Sequence, residues 1–371
     1  MDKIQSHAKL VIIGGGIMGV SLLYHLTKEG WSDVVLIEKS ELTSGSTWHA
    51  AGQCPHMLGN LSLAKIHLHS TNLYKALEKE TGQPTGFHET GSLRLAYKHE
   101  DLEWFHYVKG ILDIAGSPCS IISTEEIKKY HPFIRLDGIL GAFHTPEDGY
   151  TDPTSTTNAM AKGARNNGAK IYRKNRVTDI KQLNTGEWKV ITEKGDIICE
   201  HVVNAAGSFC PEVSQMVGIK NVPSINMIHQ YLVTESHPEI EKLDKELPVV
   251  RDPESSSYLR QEGKGLLIGP YEKDATAWAL DGMDWKFDME LLEPDLDRIE
   301  KHLEIGMNRI PQFKDVGIKK IICGPITHTP DDNFLAGPAP GLKNFWMFCA
   351  ASIGIAHGGG AGKYMAQWIV H

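Results

Sequence analysis

A short stretch near the start of the chain constrains its fold more than any other. Lys9 to Ile13 is an apolar run that passes into Gly14-Gly15-Gly16-Ile17-Met18-Gly19 and then into a helix-patterned segment lasting to about Lys28. A second apolar run, Val34 to Ile37, ends at Glu38. Strand, tight glycine turn, helix, strand and acid in this register define a Rossmann-type dinucleotide site. Gly14, Gly16 and Gly19 allow the turn and the close approach of backbone to a pyrophosphate. The N-terminal N–H groups of the helix meet its charge, and Glu38 accepts from ribose hydroxyls. Lys39 follows directly and joins the candidate contacts.

Composition narrows the remaining choices. The chain of 371 residues is long enough for two interleaved domains, and no apolar run approaches the roughly 20 residues of a membrane span. A net charge of −8 argues against a nucleic-acid partner, because phosphate contacts need a basic surface. The six cysteines show no C-x-x-C pair and no metal-ligand spacing, so neither disulfides nor a metal site is expected. So few residues precede the first strand that no transit or signal peptide is expected, and the location read from this is cytoplasmic.

Beyond Glu38 the chain departs from what a pyridine-nucleotide enzyme usually shows. Ser44-Gly45-Ser46-Thr47-Trp48-His49-Ala50-Ala51-Gly52-Gln53 is nearly free of bulk except for one indole and one imidazole, and it leads into a helix from about Leu61 to Glu80. Gly91–Tyr97 reads as a strand, Asp101–Ala115 as a helix, and Ser123-Thr124-Glu125-Glu126 as a capping box. Asp152-Pro153 introduces a helix with Gly168 as its stop, and Ala169–Ile180, Trp188–Ile191, Asp196–Cys199 and Val202–Asn204 read as strands. From Pro223 to Cys323 short strands and turns suggest an antiparallel sheet with one helix, Pro294–Arg309. Glu235–Glu246 reads as a solvated connection. Near the end, Gly354-Ile355-Ala356-His357-Gly358-Gly359-Gly360-Ala361-Gly362 reads as a glycine turn before a last helix, with backbone donors facing an anion.

The stretch Gly45 to Gly52 resembles the flavin-attachment segment of the FAD-dependent dimethylglycine and sarcosine dehydrogenase family, within the glycine oxidase and sarcosine oxidase superfamily. Asp152-Pro153 and Asn204-Ala205-Ala206-Gly207 add weaker matches, and the resemblance runs from Leu10 to the final helix. It implies FAD bonded covalently through His49, with Ser46, Thr47 and Gly52 around the ring. It further implies Val177 along the adenine, Ala206 near the cofactor, and Gly354, Gly358 and Gly359 at the flavin edge. The fold expected is α/β: a Rossmann-type FAD-binding domain from residues 1–83, 150–222 and 324–371, interleaved with an α+β antiparallel-sheet substrate domain from 84–149 and 223–323.

The activity implied is oxidation of a small N-methylated amine by hydride transfer to flavin, giving an iminium that yields formaldehyde or a one-carbon unit. His229, Tyr258 and Arg260 fall where the family places substrate contacts, with Arg260 as a bidentate carboxylate ligand. The partners implied are an electron acceptor, either oxygen or an electron-transfer flavoprotein, and a folate-binding domain or subunit. From the residues alone, His49 also reads as a loop histidine, His229 as a core histidine and Arg260 as a surface residue. Two other functions stay open: a pyridine-nucleotide oxidoreductase using the Gly14–Gly19 turn, and a non-catalytic regulatory flavin-binding relative.

Overall fold

The computed structural model describes residues 4–371. Its first sheet runs in the order Leu335–Pro338, Phe345–Cys349, Gly195–Asn204, His7–Ile13, Val34–Ile37, Lys170–Tyr172. His7–Ile13 pairs in parallel with both Gly195–Asn204 and Val34–Ile37, and the latter pairs in parallel with Lys170–Tyr172. Strands covered on both faces read as continuous apolar runs, which is why Leu10 to Ile13 and Val34 to Ile37 are buried throughout. The helices Ile17–Lys28, Leu61–Thr81, Pro153–Asn166 and Gly354–Val370 pack over one face through Leu10, Ile12, Leu22, Tyr74, Met160 and Met365.

Local signals set several of these helices. Asp152 caps Pro153–Asn166 by accepting from the Ser155 N–H at 2.6 Å, and Pro153 occupies the first turn, where no N–H is needed. Ser123 and Glu126 form the reciprocal capping box of Thr124–Tyr130.

The second sheet runs Ala277–Trp278, Ile225–Thr234, Gly265–Pro270, Ser257–Glu262, Val249–Asp252, Ser92–Ala96, Gly141–Thr145, Ser120–Ile122, with Ile318–His328 along the other side of Ile225–Thr234. Every pair is antiparallel except Val249–Asp252 with Ser92–Ala96. Alternation divides its faces. Leu93, Leu95, Val250, Leu259 and Ile268 point into a core closed by the helix Leu296–Arg309, while Ser92, Arg94, Val249, Arg251 and Tyr258 stand on the opposite face.

The structure departs from the sequence reading in several places. Ala169–Ile180 is two strands, Lys170–Tyr172 and Val177–Gln182, parted at Lys174, whose φ is 52°. Asp196–Cys199 and Val202–Asn204 are one strand, Gly195–Asn204. Residues 235–246 are not merely solvated, because Ile240, on the short helix Pro238–Glu241, is fully buried in the second core. The expected boundary at 324 falls inside the strand Ile318–His328. The last glycine-rich stretch is not a turn. It lies within the helix Gly354–Val370.

Candidate active site

A cleft of about 1300 Å³, including its open mouth, lies at the carboxyl ends of the parallel strands. Gly14, Gly15 and Gly16 form one wall. A Cβ on Gly14 would stand 2.3 Å from the Ala205 carbonyl oxygen, and its φ of 115° favours glycine, so the turn can take nothing larger. Gly19 lies behind this wall: a Cβ there would fall 2.1 Å from the Gly14 carbonyl oxygen, so its role is close packing of helix on strand. Glu38 is buried at the cleft, accepting from the Gly15 N–H and the Ser40 N–H, each at 2.7 Å. Burial raises its pKa while those bonds lower it. Thr47 accepts from the Ile17 N–H at 3.1 Å, tying the 44–53 segment to the start of the helix, and the Ser46 hydroxyl donates to the Pro325 carbonyl at 2.6 Å. Lys39, Ser46, Thr47, Val177, Ala206 and Gly354 all line the cleft as well.

Besides Gly19, three more expected cofactor residues have other work, and His49 does not line the cleft. A Cβ on Gly52 would lie 2.1 Å from the Thr151 carbonyl oxygen, so this glycine serves backbone contact, with Thr151 N–H donating to the Gly52 carbonyl at 2.9 Å. Gly358 packs against Ile17 and Gly359 against Ser70. They let the terminal helix approach its two neighbours, and neither lines the cleft.

One segment the sequence reading left unassigned roofs this cleft. Met283, Trp285 and Phe287 line it, Trp285 stacks on Phe209 with ring centroids 5.0 Å apart, and Lys39 Nζ donates to the Phe287 carbonyl at 2.7 Å. Nothing in its local pattern marked it. Its role comes from crossing over from the other sheet.

His49 is buried, its pKa held down to about 4 by that burial, and its Nε2 has no hydrogen-bond partner. Its carbonyl accepts from the Tyr231 hydroxyl at 3.1 Å. The ring sits over Gly324, where a Cβ would come within 2.7 Å of the His49 Cε1. Gly324 is the register partner of His229 in the second sheet, so the two histidines meet where the two halves of the molecule join. His229 Nε2 shares a 2.9 Å hydrogen bond with the Tyr258 hydroxyl, and its ring stacks on Tyr271 at 4.8 Å. Burial, with lesser contributions from neighbouring cations and His49, lowers the pKa of His229 to about 3. Tyr258 has room because its register partner is Gly269, where a Cβ would overlap the phenol ring.

Arg260 is engaged elsewhere. Its guanidinium pairs with Glu262 at 2.6 Å, donates to the Gln261 carbonyl at 2.8 Å, and lies over the Tyr150 ring. Arg251 occupies the more open position. It lines a second cavity with Arg94, Asp148, Tyr271, His328 and Asp332, among others, and its guanidinium lies over the Tyr258 and Tyr271 rings. Ser352 lines both the cleft and this cavity, so the two adjoin there. The strand carrying Arg251 was legible, but the choice between Arg251 and Arg260 rests on partners distant in sequence.

A cleft walled by Gly14, Gly15 and Gly16, with the buried acid Glu38 and the polar segment Ser44–Thr47 along it, has the donor set and the space that a flavin dinucleotide needs. Residues 9–368 match the family described as FAD dependent oxidoreductase, and the chain belongs to it. Within that family it is similar to dimethylglycine and sarcosine dehydrogenases. It is 45% identical over 372 residues to the mitochondrial dimethylglycine dehydrogenase of Rattus norvegicus, covering 99% of this chain and 43% of that protein. It is 35% identical to the mitochondrial sarcosine dehydrogenase of Mus musculus, covering 100% of this chain and 40% of that protein. The chain thus spans less than half the length of these relatives. Among solved structures, L-proline dehydrogenase from P. horikoshii superposes with a TM-score of 0.86 at 27% identity, covering 99% of this chain and 94% of that one. The pyridine-nucleotide reading of the glycine turn is thereby set aside. No helix among the described residues is long and apolar enough to cross a membrane.

Proposed function

We propose that the protein oxidises the N-methyl group of a small amino acid of the dimethylglycine or sarcosine type. The observation that carries this reading is the junction at Ser352, where the nucleotide cleft opens onto a second cavity walled by Tyr271, which stacks on the His229–Tyr258 pair. FAD bound in the cleft supplies the two-electron acceptor for the substrate's hydride, leaving an iminium that water converts to formaldehyde or that passes on as a one-carbon unit. The protein's own task is to present the amine with its lone pair free. His229, neutral because its pKa lies near 3, and the Tyr258 hydroxyl give a polar but uncharged surface that favours amine over ammonium. The same reading includes an electron acceptor, oxygen or an electron-transfer flavoprotein, and a folate-binding domain or subunit.

Anaerobic titration of the flavin-loaded protein with dimethylglycine and with sarcosine should bleach the flavin. His229→Ala and Tyr258→Phe should each slow bleaching by about 10²-fold or more, the usual scale of a positioned polar group, at unchanged flavin content. A non-catalytic relative would show no bleaching with any N-methyl amine.

The proposal extends to a bond between an imidazole nitrogen of His49 and the 8α carbon of the flavin. A neutral, buried imidazole with an unpartnered Nε2 supports it, since attachment requires the unprotonated ring. Linkage releases two protons, one from the 8α methyl and one from the imidazole, and two electrons that the acceptor of turnover removes. Denatured wild-type protein on a gel should fluoresce under ultraviolet light in acid, and His49→Ala should be dark. Free FAD recovered quantitatively from acid-precipitated wild type would refute the bond.

A further inference from the structure

Arg94, Arg251 and Tyr258 stand side by side on three neighbouring strands, since Arg251 is the register partner of Arg94 on one side and of Tyr258 on the other. All three project from the face opposite the Leu93, Leu95, Val250 and Leu259 core. Among the described residues neither Arg94 nor Arg251 forms an ion pair, although both are half-buried and both line the second cavity. The carboxylates on the same wall are occupied. Asp332 is held by His328 at 2.7 Å, and Asp148 accepts from the Ser92 hydroxyl at 2.6 Å and the His56 N–H at 3.0 Å. Two half-buried guanidiniums side by side repel one another, and neither is paired with a carboxylate. Their remaining contacts are aromatic: Arg94 lies 5.1 Å over Trp104, and Arg251 lies over Tyr258 and Tyr271.

We infer that Arg251, and not Arg260, binds the substrate's carboxylate, and that Arg94 draws the anion into the cavity, making the site selective for N-methylated amines that carry an acid group. The inference deepens the function proposed above and rests on it for the identity of the substrate. A carboxylate on the Arg251 guanidinium lies beside the Tyr258 and Tyr271 rings. Its amine, one carbon away, then points toward His229, on which Tyr271 stacks. Arg260 lines neither the cleft nor the second cavity, and its guanidinium is already paired with Glu262.

The test uses the flavin-loaded protein and a ligand that cannot react. Trimethylglycine keeps the carboxylate but has no nitrogen lone pair, and choline keeps the quaternary nitrogen without the carboxylate. Trimethylglycine should perturb the flavin absorbance saturably, and choline should not. Arg251→Gln should weaken trimethylglycine about 100-fold, the scale of losing one charge-assisted bidentate contact, with Arg251→Lys recovering part of it. Arg94→Gln should weaken it about 5–10-fold and flatten its salt dependence. Arg260→Gln should leave it unchanged. Matching thermal unfolding midpoints for the variants would show that binding, not folding, is being read, and Arg251→Lys provides the folded comparison if Arg251→Gln unfolds.

Equal affinity for trimethylglycine in wild type and Arg251→Gln, or a loss confined to Arg260→Gln, overturns the inference. Binding of trimethylglycine through Arg251 without bleaching by any N-methyl amine upholds this inference and overturns the proposed reaction. Bleaching that Arg251→Gln leaves unaltered in KM does the reverse.

Discussion

The two glycine-rich segments of this chain, Gly14–Gly19 and Gly354–Gly362, are alike in composition and opposite in use. The first is a turn whose backbone walls the nucleotide cleft, and the second is about two and a half turns of helix whose glycines beyond Gly354 face other helices. In the first, space is left for a ligand. In the second, space is filled by protein: a Cβ on Gly360 would stand 2.1 Å from the Ile66 carbonyl oxygen, and one on Gly362 would stand 2.2 Å from the Ser21 hydroxyl. The difference teaches that a run of glycines announces close approach without saying what approaches.

The sharpest way to break the contrast is to add a methyl group to each segment. Gly360→Ala places its Cβ against backbone of the helix Leu61–Thr81, which cannot yield as a side-chain tip can, and should lower unfolding free energy by about 3 kcal/mol or more in urea titration. Gly14→Ala combines a 2.3 Å approach to Ala205 with a left-handed φ of 115°. It should cost about 1–3 kcal/mol, and its clearer signature should be a protein purified with little flavin. If Gly360→Ala lost flavin while keeping stability, and Gly14→Ala did the opposite, the assignment of the two segments would be reversed.

Acid should act on the second segment through the buried histidines in and beside it. His357 lies within the terminal helix, edge-on to His67 at 4.9 Å, and burial pushes their pKa values from 6.5 down to about 3 and about 4. Between those values and 6.5 the unfolded chain binds more protons than the folded one, so their contribution is present above 6.5 and is lost as pH falls toward 3. Asp148, raised by burial from 3.8 to about 7, opposes this, since its contribution shrinks as pH rises through that range. The histidines outnumber it, for His25, His56, His131 and His229 are also lowered to about 3. The thermal midpoint should therefore fall between pH 7 and pH 5, and a flat or rising midpoint would contradict this. Smallest of all, Gly354→Ala meets Ile17 at 3.4 Å and Ala351 at 3.7 Å, both ordinary contact distances, and should shift stability by no more than about 0.5 kcal/mol.

The legible part of the site was the part written in consecutive residues. The turn at Gly14, the acid at Glu38 and the segment at Ser46 and Thr47 reach the cleft because each follows directly from the strand or helix beside it. Val177 and Ala206 sit at strand ends of the same sheet and reach it too. Gly52, Gly358 and Gly359 were misread because nothing local tells a glycine beside a ligand from one beside Thr151, Ile17 or Ser70.

By itself, the sequence determined the βαβ unit, the helix caps at Asp152 and Ser123, and the alternation that gives the second sheet two unlike faces. Short-range sterics and hydrogen bonding act within a few residues, so they can be read a few residues at a time. Only the tertiary structure decided that Gly324 leaves room for His49, that Gly269 lets Tyr258 reach His229, and that residues 283–287 roof a cleft built by the other sheet. It also decided that Arg260 is bound to Glu262 while Arg251 stands unpaired at the cavity. Each of these depends on strand register and on surfaces distant in sequence, and register is fixed only when both faces of a sheet have found what they bury.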